Sequence, residues 1–273
     1  MTLVVALKVG DGVVLGADSA STIVDSSNNV LNSYFNAEKV FNLVKGLPLG
    51  TLTYGLGGLQ NRSMSSILKD LRSRLSNARL AEWGLDRTTY TVGDAAQRLK
   101  RFVFDDLYSA EFASAATPPV LGFFVAGYSA NATSSEIWRV HAVQPGAAEV
   151  TEIVSRDMPW SAQWEGQTEA CVRLIRGWSW ELLKKLVDAG MPHKDAMELL
   201  DSVPDVVHPT MPIQDAIDLV HYVIATTCGF VRFAPGPAIV AEPIDSAAIT
   251  LHEGFKWIRR KHYFDPRLNS ALS

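Results

Sequence analysis

The sequence predicts a layered α+β domain, and three features of its pattern carry that prediction. The chain opens with pairs of short, β-branched runs that are separated by glycine-containing turns. Hydrophobic residues then recur at helical spacing, after which strands return, followed by more helices and a final strand. Such grouped runs favour a layered α+β fold over alternating βαβ units. Two sheets packed face to face with helices outside fit this order, and so does a single sheet covered on one face.

The predicted strands are bounded by turn-forming residues. A glycine turn, Gly10-Asp11-Gly12, joins the first two strands, because glycine supplies the positive φ that a tight hairpin needs. The Ser- and Asn-rich residues 23–35 are predicted to form a loop. The predicted strands are residues 2–9, 13–17, 38–44, 50–56, 120–128, 136–142, 148–154 and 245–251.

The predicted helices carry apolar residues at intervals of three and four. In residues 61–79 these residues share one stripe, with Asn61 or Ser63 as the N-cap. The predicted helices are residues 61–79, 93–111, 167–188, 193–202 and 212–227. We expect no stretch to be long and apolar enough to cross a bilayer. We expect one domain over residues 1–258 and a polar tail over 259–273, with the basic cluster around Lys261 solvated.

Composition limits which partners and which cellular location we expect for the protein. The formal net charge of -4 gives no reason to expect nucleic acid or an anionic membrane as partner. Two cysteines, Cys171 and Cys228, are too few for a disulfide framework and suit a reducing cytoplasm. The histidines show no metal-binding spacing and no phosphate-binding glycine loop follows a strand, so we expect neither a metal nor a cofactor.

The second residue is a threonine, which becomes the N-terminus if the initiator methionine is removed. An N-terminal threonine carries a hydroxyl nucleophile and an amine base in one residue. An α-amino group has a pKa of about 7.7–8.0, so it can accept the hydroxyl proton near neutral pH. Thr2 is therefore the candidate nucleophile.

The opening TLVVALKVGDGVVLGADSAST resembles the first hairpin of proteasome β-subunits and their bacterial relatives, a family of N-terminal-nucleophile (Ntn) hydrolases. In that family an N-terminal Thr strand precedes a glycine turn, a hydrophobic strand and an Ala-Asp-x-x-x-Thr segment, matched here by residues 17–22. NAEKVFNL resembles the strand that carries the catalytic lysine, and LGTLTYGLGGLQNRSMSSIL resembles the segment that builds the oxyanion hole and first specificity pocket. The resemblance is sharpest over residues 2–75 and implies a four-layer αββα sandwich, two packed antiparallel sheets flanked by helices.

The resemblance implies a role for each matching residue. Thr2 is the nucleophile, Asp18 holds Lys39 charged and oriented, and Lys39 disfavours protonation of the neighbouring amine. The backbone N–H of Gly55 stabilises the oxyanion, with Gly57 as the second choice. The substrate-binding residues are Thr22, whose backbone pairs with a bound peptide, Thr53, which with Tyr54 lines the first specificity pocket, and Gly57.

The sequence departs from the family pattern in two places. Active members carry an arginine where this chain has Ala20. They also carry an aspartate at the end of a late helix, which with a partner serine hydrogen-bonds the amine. Here ATTCGFVRFAPGP lacks that aspartate and WEGQT replaces the serine segment. Glu165, Thr226 or Thr227 are the candidate substitutes.

The resemblance implies a threonine-type amidohydrolase, most simply a peptidase that acts on peptides or unfolded proteins. Active members form rings, so a homo-oligomeric ring and an ATP-dependent unfoldase partner are implied as well. Two alternatives stay open: a non-catalytic structural or assembly subunit, and an amidase for a small molecule on the same scaffold.

Overall fold

Two five-stranded antiparallel sheets form the body of the protein, in a computed structural model that describes residues 2–25, 30–77, 79–144, 146–200, 206–237 and 239–264. The strands are β1 Leu3–Val9, β2 Gly12–Ala17, β3 Ser21–Val24, β4 Val30–Tyr34, β5 Val40–Asn42, β6 Leu49–Gly55, β7 Gly58–Leu59, β8 Arg62–Ser63, β9 Leu121–Gly127, β10 Glu136–Gln144, β11 Ala147–Val154, β12 Ser161–Gly166, β13 Asp245–Thr250 and β14 Gly254–Arg259. The first sheet has the order β12-β1-β2-β13-β14, and the second has the order β11-β10-β9-β6-β5.

The helices follow the strand pairs, as the pattern predicts. They are α1 Met64–Leu75, α2 Val92–Leu99 with a π-helical continuation Lys100–Tyr108, α3 Ser109–Phe112, α4 Glu169–Cys171 with a π-helical continuation Val172–Arg176, α5 Trp180–Asp188, α6 His193–Leu200 and α7 Ile213–Phe233. The fold is thus mixed α and β with several antiparallel sheets, and the single-sheet alternative is wrong. The prediction that α6 extends beyond Leu200 lies outside the described residues.

Strand β1 is buried on both faces. Leu3 and Val5 join a hydrophobic cluster with residues of α7, whereas Val4 and Ala6 join a cluster with residues of the second sheet. Successive side chains of a strand point to opposite faces, so this alternation places β1 between a helix and another sheet. For the same reason the sequence of β1 is apolar at every position except Lys8.

Strand β9 of the second sheet is likewise buried on both faces. Phe124 and Ala126 face the first sheet, in the cluster that includes Leu15 of β2. Phe123 and Val125 face the other way, in a cluster that contains the apolar stripes of α1 and α2.

Ser63 caps α1 by accepting a hydrogen bond from the backbone N–H of Ser66, which selects Ser63 over Asn61 as the N-cap.

Helix α7 contradicts the prediction that no stretch is long and apolar enough to cross a bilayer. It is longer than expected, and by length and composition alone it would suffice to cross a membrane. In this structure it packs on β1 and β2, and Ala216, Val220 and Ile224 are buried in the cluster with Leu3 and Val5. An apolar helix that covers a sheet has the same composition, so its length is explained by this contact.

Other differences come from elements with weak sequence signals. Residues 21–24 and 30–34 pair as the β3–β4 hairpin rather than forming a loop, although their side chains are mostly exposed. Strands β12 and β14 were not predicted, because neither alternates cleanly between apolar and polar residues. The predicted helix 167–188 is broken at Gly177, whose φ of 74° ends one segment before Ser179 caps the next.

We expect truncation of Leu52 to cost far more stability than truncation of Leu31. Leu52 is fully buried between the two sheets, so Leu52→Ala should lower the free energy of unfolding by about 2–5 kcal/mol. Leu31 is 66% exposed, and Leu31→Ala should change it by less than about 0.5 kcal/mol. Urea denaturation followed by circular dichroism measures both, and equal losses would contradict the packing described here.

Candidate active site

Thr2 lies at the start of β1, where three strand ends meet. β1 pairs with β2 on one side and β12 on the other. The Thr2 carbonyl accepts a hydrogen bond from the N–H of Gln167 at 2.8 Å. Gly166 has a φ of 101°, and a Cβ there would lie 1.8 Å from the Thr2 oxygen, so only glycine allows this approach. The backbone of Thr2 is thereby held against the end of β12, and Thr2 is buried.

Asp18 follows β2 and is fully buried beside Thr2. Its Oδ1 accepts hydrogen bonds from Thr2 Oγ1 at 2.7 Å and from the N–H of Leu3 at 2.9 Å. Its Oδ2 accepts from the N–H of Ala20 at 2.8 Å and of Ala241 at 3.2 Å. These donors replace the hydrogen bonds to water that the carboxylate loses on burial.

Lys39, just before β5, brings a cation to the same point. Its Nζ lies 2.6 Å from Asp18 Oδ1 and also donates a hydrogen bond to Thr2 Oγ1. Burial lowers the pKa of Lys39, and the charge of Lys261 lowers it further, whereas Asp18 opposes the shift. The ammonium of Lys39 is therefore easier to deprotonate than that of a solvated lysine, and it touches the hydroxyl of Thr2.

A cavity of about 990 Å³ opens onto this cluster. Asp18 lies behind its wall rather than at its surface. Apolar side chains of β3, β4 and α1 form part of the lining, among them Val24, Val30 and Met64. The other predicted site residues all line the cavity: Thr2, Thr22, Lys39, Thr53, Gly55 and Gly57.

Gly55 is shaped by its close contact with β9. Its φ is 86°, and a Cβ there would lie 2.1 Å from the carbonyl oxygen of Val120.

Thr22 and Thr53 share a different property: each Oγ1 is buried and has no hydrogen-bond partner among the described residues. A buried hydroxyl without a hydrogen-bond partner costs free energy unless a ligand or a water molecule binds it. Both hydroxyls are therefore candidate contacts for a bound substrate.

Two of the three candidate substitutes for the missing aspartate, Glu165 and Thr227, make their polar contacts away from Thr2. Glu165 lies 3.6 Å from Arg139 in an ion pair, and burial raises its pKa. Thr227 Oγ1 donates to the carbonyl of Val223 at 2.8 Å, within its own helix. Within the described ranges, no hydrogen bond joins either side chain to Thr2.

Lys261 is the site residue that sequence reasoning missed. We predicted that its basic cluster is solvated, and for Lys261 this is wrong: its side chain is 12% exposed and lines the cavity. It forms an ion pair with the buried Asp245. A lysine in a polar C-terminal segment gives no sequence signal of such a contact, because the pairing depends on where β14 ends.

The described part of the chain holds no group of three or more His, Cys, Asp or Glu residues close enough to bind a metal ion. The two cysteines are free, and Cys171 is buried. Burial raises the pKa of the Cys171 thiol to about 11, which leaves it protonated and unreactive near neutral pH.

Comparisons with known proteins show the fold and go no further. No protein-family model matches the chain, and no curated protein matches it in sequence. The solved structure of Anbu (ancestral beta-subunit) from Yersinia bercovieri is similar over 96% of this chain and 88% of that chain, with 12% identity and a TM-score of 0.50. A mutant of Anbu from Hyphomicrobium sp. strain MC1 matches over 96% and 86%, with 14% identity and a TM-score of 0.48. The first likeness supports the predicted proteasome-related fold.

We expect Asp18→Ala to destabilise the protein strongly. It leaves Lys39 buried without its carboxylate and removes the acceptor of three backbone N–H groups, so the loss should be about 3–5 kcal/mol. Asp70→Ala is the control, because it breaks an ion pair to Arg62 that is largely exposed and should cost less than about 1 kcal/mol. Chemical denaturation of the two variants would expose an error if their losses were similar.

Proposed function

We propose that the chain is a threonine-type Ntn amidohydrolase, and specifically a proteasome-like peptidase that acts through Thr2 once Met1 is removed. The observation that carries the proposal is the convergence of Lys39 Nζ and Asp18 Oδ1 on Thr2 Oγ1 at the wall of a large cavity. A four-layer αββα sandwich is part of the proposal. The hydrophobic clusters between the sheets, and between each sheet and helices, support it.

The proposed reaction begins with proton transfer from the Thr2 hydroxyl to the free α-amine of the same residue. The oxygen then attacks the substrate carbonyl, and the backbone N–H of Gly55 holds the oxyanion of the tetrahedral intermediate. Collapse of the intermediate passes the proton to the leaving amine and leaves an ester on Thr2. Water hydrolyses this ester and restores the hydroxyl. Lys39 stabilises the negative charge on Oγ1 when the hydroxyl loses its proton and again when Oγ1 leaves as the ester is cleaved.

The cavity supports a peptide as substrate. Its lining combines apolar side chains with the edge of the exposed β3 strand, which carries Thr22. An extended peptide can add to such an edge through its backbone, while its side chains enter the cavity. Assembly into a homo-oligomeric ring, delivery of unfolded substrates by an ATP-dependent partner and a cytoplasmic location belong to the same proposal.

A non-catalytic structural subunit is the second candidate. Position 20 is a buried alanine, and residues 225–237 carry no aspartate to bind an amine at position 2. These departures favour a chain that keeps the fold without turnover. A retained Met1 would favour it further, because the amine of Thr2 would then be part of a peptide bond.

We expect an electrophilic epoxyketone or β-lactone probe to label the protein at Thr2. Thr2→Ala should abolish the adduct, because the hydroxyl is lost, whereas Thr2→Ser should keep it. Peptide mapping by mass spectrometry locates the adduct, and the intact mass tells whether Met1 has been removed. A fully processed wild-type protein that never forms the adduct would rule out the threonine peptidase and leave the structural subunit.

A further inference from the structure

Lys261 reaches the candidate site from the far end of the chain. It follows β14, the last described strand, and its side chain turns inward to line the cavity with Thr2 and Lys39. Neighbouring Lys256, on β14 itself, is exposed and does not line the cavity. The two lysines therefore differ in position although they belong to one basic cluster.

The contacts of Lys261 join separate segments of the chain. Its backbone N–H donates to Asp245 Oδ1 at 2.9 Å, and its Nζ forms an ion pair with Asp245 Oδ2. The same Nζ donates to Ser19 Oγ at 2.7 Å. Ser19 is fully buried, follows Asp18 directly, and donates its own hydroxyl to the carbonyl of Pro243. Lys261 thus ties the segment of Asp18 to the start of β13.

The titratable groups that face Lys39 come from three other elements. Asp18, at the end of β2, favours the ammonium form of Lys39. Cys228 on α7 is uncharged near neutral pH, because burial raises the pKa of its thiol to about 12. Lys261 acts against the ammonium form of Lys39, because a second cation nearby disfavours protonation. Burial, the largest influence, lowers the pKa of Lys39, and Lys261 adds to that effect.

We propose that Lys261 is a positioning residue of this site, which anchors the segment of Asp18 through Ser19 and holds a second positive charge beside Lys39. Its catalytic consequence rests on the proposed function: a second cation at the cavity wall disfavours protonation of the Thr2 α-amine, which keeps that amine available as the base. The electrostatic part is a property of the folded protein and holds whether or not Thr2 reacts.

The decisive experiment titrates Lys39 directly. Protein grown with ¹³C-labelled lysine is followed by NMR from neutral to alkaline pH, and the Lys39 signal is assigned by its loss in Lys39→Arg. We expect Lys261→Met to raise the pKa of Lys39 by roughly half a pH unit or more, because the neighbouring charge is removed while the chain length is kept. Lys261→Arg keeps the charge and should give a value near that of the unaltered protein. Lys256→Met removes an exposed charge of the same cluster and should change nothing.

An unchanged Lys39 pKa in Lys261→Met would overturn the proposal, and so would an equal rise in Lys261→Arg. If wild-type Thr2 forms an adduct, its labelling rate gives a second readout. The pH profile of labelling should then move upward in Lys261→Met, with a rate about threefold lower near pH 7, and Lys261→Arg should restore it. A protein in which Thr2 never labels but the Lys39 titration behaves as described would contradict the proposed function and leave this inference standing.

Discussion

The arrangement around Thr2 depends on keeping one ion pair, Lys39 with Asp18, away from water. Removing a carboxylate and an ammonium from solvent costs several kcal/mol each, and the loss is offset only when every acceptor and donor finds a partner. Asp18 achieves this with three backbone N–H groups, from Leu3, Ala20 and Ala241, in addition to Lys39 and Thr2. One carboxylate therefore holds backbone from the N-terminal strands and from the segment before β13.

This constraint couples the site to the core between the sheets. Thr2 and Asp18 adjoin strands β1 and β2 of the first sheet, whereas Lys39 leads into β5 at the edge of the second. The separation of Lys39 Nζ from Thr2 Oγ1 is therefore set by how closely the two sheets pack. Gly50 of β6 illustrates the tightness of that packing, since a Cβ there would lie 2.8 Å from Leu15. A substitution in the core between the sheets should therefore alter the distances within the site even when the substituted residue does not contact it.

The sequence predicts those parts of the molecule that are determined by local patterns of residues. The hairpin around Gly10, the apolar stripe of α1 and the grouping of Thr2, Asp18 and Lys39 all follow from residues that are close in the chain or match a known family pattern. Strand β12 was missed because its residues do not alternate cleanly between apolar and polar, and its pairing with β1, which joins residues about 160 positions apart, is not encoded in any local pattern. Lys261 was missed for a related reason, since its partners Asp245 and Ser19 are brought to it only by the finished first sheet.

A second buried lysine shows which feature sets Lys39 apart. Lys8 is as deeply buried, and burial lowers its pKa as well. Its Nζ, however, donates to backbone carbonyls, those of Ser135 at 2.6 Å and Ser155 at 2.9 Å, and it lines no part of the large cavity. Such an ammonium stabilises the loops it binds and has no hydroxyl to act on. Burial with a shifted pKa is thus common to both lysines, and the contact with a hydroxyl at a cavity wall is what makes Lys39 a candidate for chemistry.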